Sequence, residues 1–230
     1  VSTHIAILQQ PYAGMVLDGR KTIESRLTKV PCPPFGVVAP GERLYLKHSG
    51  VPKYFATAVA GEVMSFDGLT PADIDAIRGR WGPAIGGEEA YWAWKRDASY
   101  ATLIRLLDVE PWPYVVPPWP KTRGRAWHVL PDDQDPMREV RITGGMLRNG
   151  YVSLTAAPPA TRAGRLTLLM PDGEHVETDF AKGAMLRWRG WRRYFEGFSL
   201  AEGDVVRFVA VGSRRYAVTF RPGPRHRPRA

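Results

Sequence analysis

Residues 9–26 read QQPYAGMVLDGRKTIESR, and this stretch decides how the first half of the chain is organised. Just before it, residues 5–8 (IAIL) form an apolar run that predicts a short strand. Across 12–18 the apolar Ala13, Val16 and Leu17 fall at helical spacing. Gly19 follows as the C-terminal cap, since the left-handed backbone that closes a helix costs glycine little. Residues 22–26 then predict a second strand. Side chains two apart on a strand share a face, so Glu24 and Arg26 point the same way, with Lys21 on the other face or at the entry turn.

Working outward, Gly41-Glu42 is a turn feeding a strand at 43–47, and 56–65, rich in Ala and Val, is another. Thr70-Pro71-Ala72-Asp73 starts a helix: Thr70 caps, Pro71 takes the first helical position and Asp73 faces the helix dipole. A second short helix is expected at 88–96 and a long strand at 101–109. From Pro111 to Pro136 proline is dense, each one removing a backbone donor and steering its predecessor away from helix, so mostly extended chain is expected. Further on, six strands are expected at 140–143, 151–154, 165–170, 175–179, 205–211 and 214–220. Pro171-Asp172-Gly173 makes a hairpin turn, and a helix at 190–196 carries Trp191, Tyr194 and Phe195 on one face with Arg192 and Arg193 outward. Many short strands with few helices predict a mainly β chain (α+β) folded as two small barrels.

The expected divisions are a first domain at 1–130, a linker at 131–137, a second domain at 138–221 and a disordered basic tail at 222–230. Charge is divided unequally between them. Through Asp135 there are 15 Lys+Arg and 15 Asp+Glu; beyond it there are 17 against 8, so the whole net charge of +9 lies in the last 95 residues. All of those later bases except Lys182 are Arg, the side chain suited to forked contacts with phosphates and base edges. Nucleic acid is therefore the expected partner. Cys32 is the single cysteine, which excludes an internal disulfide framework, and the five His residues include no i, i+4 pair, so neither metal nor cofactor is expected. No apolar run approaches the roughly 18–20 residues that span a bilayer, and the first residues do not read as a signal peptide. The expectation is a cytoplasmic protein with no membrane association. Oligomeric state leaves no mark on the sequence.

Gly19, Lys21, Glu24 and Arg26 form the pattern G-x-K-x-x-E-x-R after a helix, and in this the chain resembles the activating-signal-cointegrator homology (ASCH) domain. The resemblance continues through GERLYLKHSG, VAGEVMSFDGLTPADI and WAWKRDASYATLIRLLDV. It implies a PUA-like barrel, a group whose relatives commonly bind RNA or DNA. Its mouth would be lined by Lys21, Glu24, Arg26, Lys47, His48 and Ser49 and hold a nucleobase or phosphate; equally, Glu24 and Arg26 can serve as a structural ion pair. One branch of the family hydrolyses amides on modified cytidine with a Lys and a Thr in G-[KR]-K-T-x-T. Here Glu24 stands at the position of the nucleophilic hydroxyl and Thr22 is one residue off, so a non-catalytic protein is expected, with amidohydrolase as the alternative.

In the second domain the Asp172-Gly173 hairpin, the Gly190-Trp191…Phe195 helix and Gly203-Asp204-Val205-Val206 with Phe208 resemble the DNA-binding pseudobarrel of auxin-response-type plant transcription factors and some restriction enzymes. The resemblance implies duplex DNA gripped by two loops, one at 143–150 with Arg148 and Asn149, the other at 180–189 with Lys182, Arg187 and Arg189, and Arg192 beside them for phosphate. RNA is the alternative that the first domain favours. Trp191 and Phe195 are expected to plug the barrel. Trp81, Trp92 and Trp94 are candidate stacking surfaces, with core packing expected for Trp92 and Trp94.

Overall fold

A computed structural model describes residues 2–112, 125–131, 135–154, 164–181, 185–212 and 214–223. The chain divides into two compact units, Val1–Gln134 and Asp135–Ala230. It is mainly β with short helices, as expected. The tail at 224–230 and Lys182 lie outside the described residues.

The first unit holds β1 (Thr3–Leu8), α1 (Tyr12–Leu17), β2 (Ile23–Thr28), β3 (Arg43–His48), β4 (Tyr54–Phe66), α2 (Pro71–Ile85), α3 (Glu89–Lys95), β5 (Tyr100–Pro111) and β6 (Trp127–Leu130). Its six strands run in the order β2-β5-β4-β3-β1-β6. Within the stretch expected to be mostly extended, the structure adds a pairing the sequence did not specify: once the prolines end, Trp127–Leu130 (β6) pairs antiparallel with β1, setting Ile5 opposite His128. Another feature absent from local sequence is the parallel pairing of β1 with β3.

Although β2 is one edge of this sheet, its Arg26 donates to the Ile7 carbonyl on β1 at 3.0 Å and lies 5.6 Å from the Trp127 ring on β6. Both targets belong to the last two strands at the opposite end, so the sheet curls until its two ends face one another. Alternating apolar side chains fill the inside, with Ala6, Leu8, Leu44, Leu46, Ala56, Ala58, Ile104 and Leu106 all buried. The helix α2 covers the outer part of β2 and β5 through Ile74, Ile77 and Ile85, which pack with Ile23, Leu27 and Leu103. Its start is a reciprocal cap: Thr70 Oγ1 accepts from the Asp73 N–H while Asp73 accepts from the Thr70 N–H at 2.8 Å. Gly86 ends it at φ +73, the left-handed value that suits glycine.

The second unit holds β7 (Met137–Arg141), α4 (Gly144–Asn149), β8 (Leu166–Leu169), β9 (His175–Thr178), α5 (Trp191–Gly197), β10 (Val205–Gly212) and β11 (Arg215–Arg221). The sheet order is β7-β10-β11-β8-β9, with β11 parallel to β8 and β8–β9 closed by the expected hairpin, Gly173 at φ +86. Trp191 is fully buried beside Phe195 and Phe208, and Arg192 and Arg193 are exposed, as the helical pattern required. Residues 151–154 do not form the expected strand. Only Ser153 makes a bridge, to Met185, although Val152 and Leu154 are buried in the core. Alternation there reports burial without a ladder.

Candidate nucleotide site in the first unit

The curl of the first sheet leaves a cavity of ≈ 620 Å³ between its two ends. Lys21, Glu24, Arg26 and Ser49 line it, and these are four of the six cleft residues expected from sequence. Lys47 and His48 do not line it. Lys47 instead donates to the His48 carbonyl at 3.1 Å, and the His48 ring packs on Phe55 at 4.7 Å between centroids, so both are spent on their own strand and its neighbour.

Glu24 is the centre of the site. Its side chain is 4% exposed, with Arg26 Nη2 at 2.7 Å from one oxygen and Lys21 Nζ at 3.4 Å from the other. Lys21 is equally buried and also donates to the carbonyls of Ile23 (2.8 Å) and Ile85 (2.9 Å). Ile85 is the last residue of α2, so the ammonium satisfies a helix-end carbonyl at the negative end of the helix dipole. Burial pushes the Lys21 amine below its ordinary value, and Arg26 adds to this, while Glu24 pulls the other way. Two carbonyls and a carboxylate thus serve as acceptors for its three ammonium protons.

The short helix α3 supplies the next wall. Tyr91, Trp94 and Lys95 fall at the i, i+3, i+4 spacing that puts them on one face, and all three line the cavity. Tyr91 Oη and Ser25 Oγ are 2.9 Å apart, which ties α3 to β2. Burial raises the Tyr91 hydroxyl to about 12, with the Glu24 charge contributing in the same direction, so it remains a proton donor at neutral pH. Lys95 Nζ donates to the Leu27 carbonyl at 3.0 Å and sits 3.6 Å over the Trp94 ring. Trp94 is 73% exposed, which corrects its expected place in the core; Trp92, two residues away and on the opposite side of the helix, is the one buried. Trp81 is half-buried against Phe66, with Arg80 4.5 Å over its ring, and does not line the cavity.

Trp127 closes the far wall and is positioned from behind. Its Nε1 donates to His4 Nδ1 at 3.2 Å, which fixes the His4 tautomer with the proton on Nε2, and this donates to Glu42 at 2.8 Å. Tyr12 and Arg125 complete the charged and aromatic lining. Tyr12, Tyr91, Lys95, Arg125 and Trp127 were not among the residues expected from sequence. The spacing within α3 was available as a signal, whereas Trp127 and Arg125 follow a proline-rich stretch that carries no periodicity.

The first 135 residues are electrically balanced, yet their cavity is not. Among the described residues four cations, Lys21, Arg26, Lys95 and Arg125, line it against the single carboxylate of Glu24. Thr22 is exposed and off the lining, its backbone N–H spent on the Ala84 carbonyl.

In the second unit the expected 143–150 loop is a capped helix. Thr143 Oγ1 accepts from the Met146 N–H at 3.3 Å and Gly150 closes it at φ +63. Asn149 folds back to donate to the Gly145 carbonyl at 2.9 Å, so its amide donor is in use within α4. Arg148 and Arg192 are brought together, Arg192 Nη2 donating to the Arg148 carbonyl at 2.6 Å. Arg187 is turned to Asp179 at 3.3 Å, while Arg189 is exposed. Arg138, Arg193 and Arg207 also pair with carboxylates, of Asp135, of Asp172 and Glu174, and of Glu139. Four arginines of this unit are thus paired locally. Among the described residues no group of His, Cys, Asp or Glu is arranged to hold a metal ion, and no helix is long and apolar enough to cross a membrane.

No family model matches the chain, and no curated protein does. Solved structures similar to part of it include an ASCH protein from Zymomonas mobilis, at 20% identity over 47% of this chain and 69% of that one, TM-score 0.38. A hypothetical Arabidopsis thaliana protein is similar at 13% identity over 41% of this chain and 97% of that one, TM-score 0.31. These are partial likenesses at low identity.

Proposed function

We propose that this chain is a non-catalytic nucleic-acid-binding protein, and that the cavity of its first unit accepts one unstacked nucleotide of a single strand. The observation that carries this is the lining itself: four cations to one carboxylate, with the rings of Tyr12, Tyr91, Trp94 and Trp127 around ≈ 620 Å³. Rings offer stacking surfaces for any base, and the cations attract the phosphate. Small-ligand sites commonly enclose about 300–1,000 Å³, which suits one nucleotide. A duplex would have to flip a base to fill such a cavity, at a cost of a few kcal/mol, whereas a single strand presents it directly. The ASCH resemblance of residues 19–26 points the same way. A binding role is favoured over hydrolysis because the Lys21 protons all have acceptors and Thr22 does not line the cavity. Duplex DNA held by the second unit, the reading drawn from the pseudobarrel resemblance, keeps Arg148, Arg189 and Arg192 as its support.

The two are separated by titrating fluorescent single-stranded RNA, single-stranded DNA and duplex DNA with the full chain at several salt concentrations. Single strands are expected to bind more tightly than duplex. Trp94→Ala is expected to weaken them by about 5- to 100-fold, the loss of one stacking contact. Stronger duplex binding, weakened by Arg148→Ala and Arg192→Ala but indifferent to Trp94→Ala, would place the site in the second unit. Absence of binding to every polymer would remove the nucleic-acid reading.

A further inference from the structure

We infer that the cavity of the first unit is built for a nucleotide carrying a terminal phosphate monoester, a chain end or a free mononucleotide, with Lys95 and Arg125 as the phosphate ligands; this rests on the nucleotide reading above. The argument starts from how the charges around the cavity are already used. Glu24 is shared by Lys21 and Arg26 at 3.4 and 2.7 Å. Lys21 has no proton left to offer, since the carbonyls of Ile23 and Ile85 take the others. Lys95 and Arg125 stand differently: among the described residues no carboxylate lies within ion-pair distance of either, and both line the cavity. Lys95 spends one proton on the Leu27 carbonyl and leaves two for a ligand, while the Arg125 fork is exposed.

Four cations and one carboxylate give the lining a formal surplus of three positive charges. A phosphodiester inside a strand brings one negative charge and two free oxygens, with the chain entering and leaving on either side. A monoester brings about 1.5 to 2 negative charges at neutral pH and three free oxygens, and it ends the chain. The second matches the surplus more closely and presents enough acceptors for a lysine and an arginine fork together. Burial, and after it the charge of Arg26, lower the Lys95 amine. Two cations that line one cavity and have no carboxylate at ion-pair distance among the described residues are a site that an anion completes. Trp94, over which Lys95 Nζ sits at 3.6 Å, then places an exposed ring beside the phosphate position, where the attached base or sugar would lie.

The test uses the full chain and a short single-stranded oligonucleotide in three forms, with a 5′-phosphate, a 3′-phosphate, or hydroxyl groups at both ends, the fluorophore attached internally. Free nucleoside 5′- and 3′-monophosphates serve as competitors against their nucleosides. One phosphorylated form is expected to bind at least tenfold more tightly than the hydroxyl form, and the arm that shows the preference names the source of the monoester. In Arg125→Ala and in Lys95→Gln the ratio of phosphate to hydroxyl affinity is expected to fall toward one. Equal affinity for phosphorylated and hydroxyl ends, with both bound, overturns this inference and leaves the nucleotide reading standing. Failure of every oligonucleotide and every nucleotide to bind overturns both.

Discussion

Replacing Glu24 by Gln should destabilise the first unit more than any other change of similar size within it. The side chain is 4% exposed and is flanked by Arg26 at 2.7 Å and Lys21 at 3.4 Å. At an effective dielectric of about 20, each attraction is about 5–6 kcal/mol before desolvation. Burial of the carboxylate offsets much of that, and breaking a buried charge group by removing one partner costs about 3–5 kcal/mol, chiefly because the cations left behind stay buried. Gln keeps the volume and one acceptor oxygen, which puts the expected loss near the lower end, about 3 kcal/mol. For a unit of this length that is a fall in Tm of about 10 °C. Urea unfolding of the full chain, followed by tryptophan fluorescence and far-ultraviolet circular dichroism, reads the loss. Lys21→Met with Glu24→Gln should cost less than the two singles together, since the pair is removed as a unit. A Glu24→Gln protein within 0.5 kcal/mol of the parent would show that these groups are solvated, and the cavity geometry argued from them would fall with it.

Two further predictions concern packing and pH. Trp191 is fully buried and its Nε1 has no hydrogen-bond partner among the described residues, so Trp191→Ala should cost the second unit about 3–5 kcal/mol, and Trp191→Phe, which forfeits volume but no such hydrogen bond, less than half of that; equal losses in urea unfolding would show that the indole nitrogen matters. Burial alone would raise the Glu42 carboxyl, but hydrogen bonds from His4 and from the N–H groups of Ala39 and Ser2 hold it below its ordinary value of 4.5. A carboxyl lowered by folding stabilises the folded state above its unfolded pKa and loses that contribution as pH falls through the folded one. Urea midpoints between pH 6 and 3 should therefore decline less steeply in Glu42→Gln than in the parent, and parallel curves would refute the assignment.

Elements with a local cause were legible in the sequence. The start of α2 at Thr70-Pro71 and the hairpin at Asp172-Gly173 follow from side-chain chemistry within four residues, and both appear where expected. The grouping of Glu24 with Arg26 follows from the two-residue period of a strand. What the sequence withheld depends on contacts between distant segments. β6 exists because β1 offers it an edge, and no pattern within WHVL announces that. Trp92 and Trp94 are alike in type and neighbourhood, and which one enters the core was settled by how α3 docks, through Tyr91 on Ser25 and Lys95 on Leu27.

Charge shows the same division between local and distant causes. Counted along the chain, all the surplus lies after Asp135, which directs attention to the arginines there. Folding pairs Arg138, Arg187, Arg193 and Arg207 with neighbouring carboxylates, which leaves the net surplus unchanged. In the balanced first unit folding does the reverse. Asp18 pairs with Arg20 and Glu89 with Arg78 on the exposed surface, while Lys21 and Arg26 share Glu24 and Lys95 and Arg125 line the same cavity with no carboxylate at ion-pair distance among the described residues. Attraction of a polyanion depends on the local potential at a concave, partly desolvated surface more than on the total. A balanced domain can thus hold the stronger anion site. Exposed charges, Arg125 in the first unit as well as Arg148 and Arg192 in the second, are screened within about 8–10 Å at physiological ionic strength, and the buried Lys21–Glu24–Arg26 group much less. Raising salt should therefore weaken any anion contact of Arg125, Arg148 and Arg192 alike, while the stability that the Lys21–Glu24–Arg26 group contributes in urea unfolding changes little.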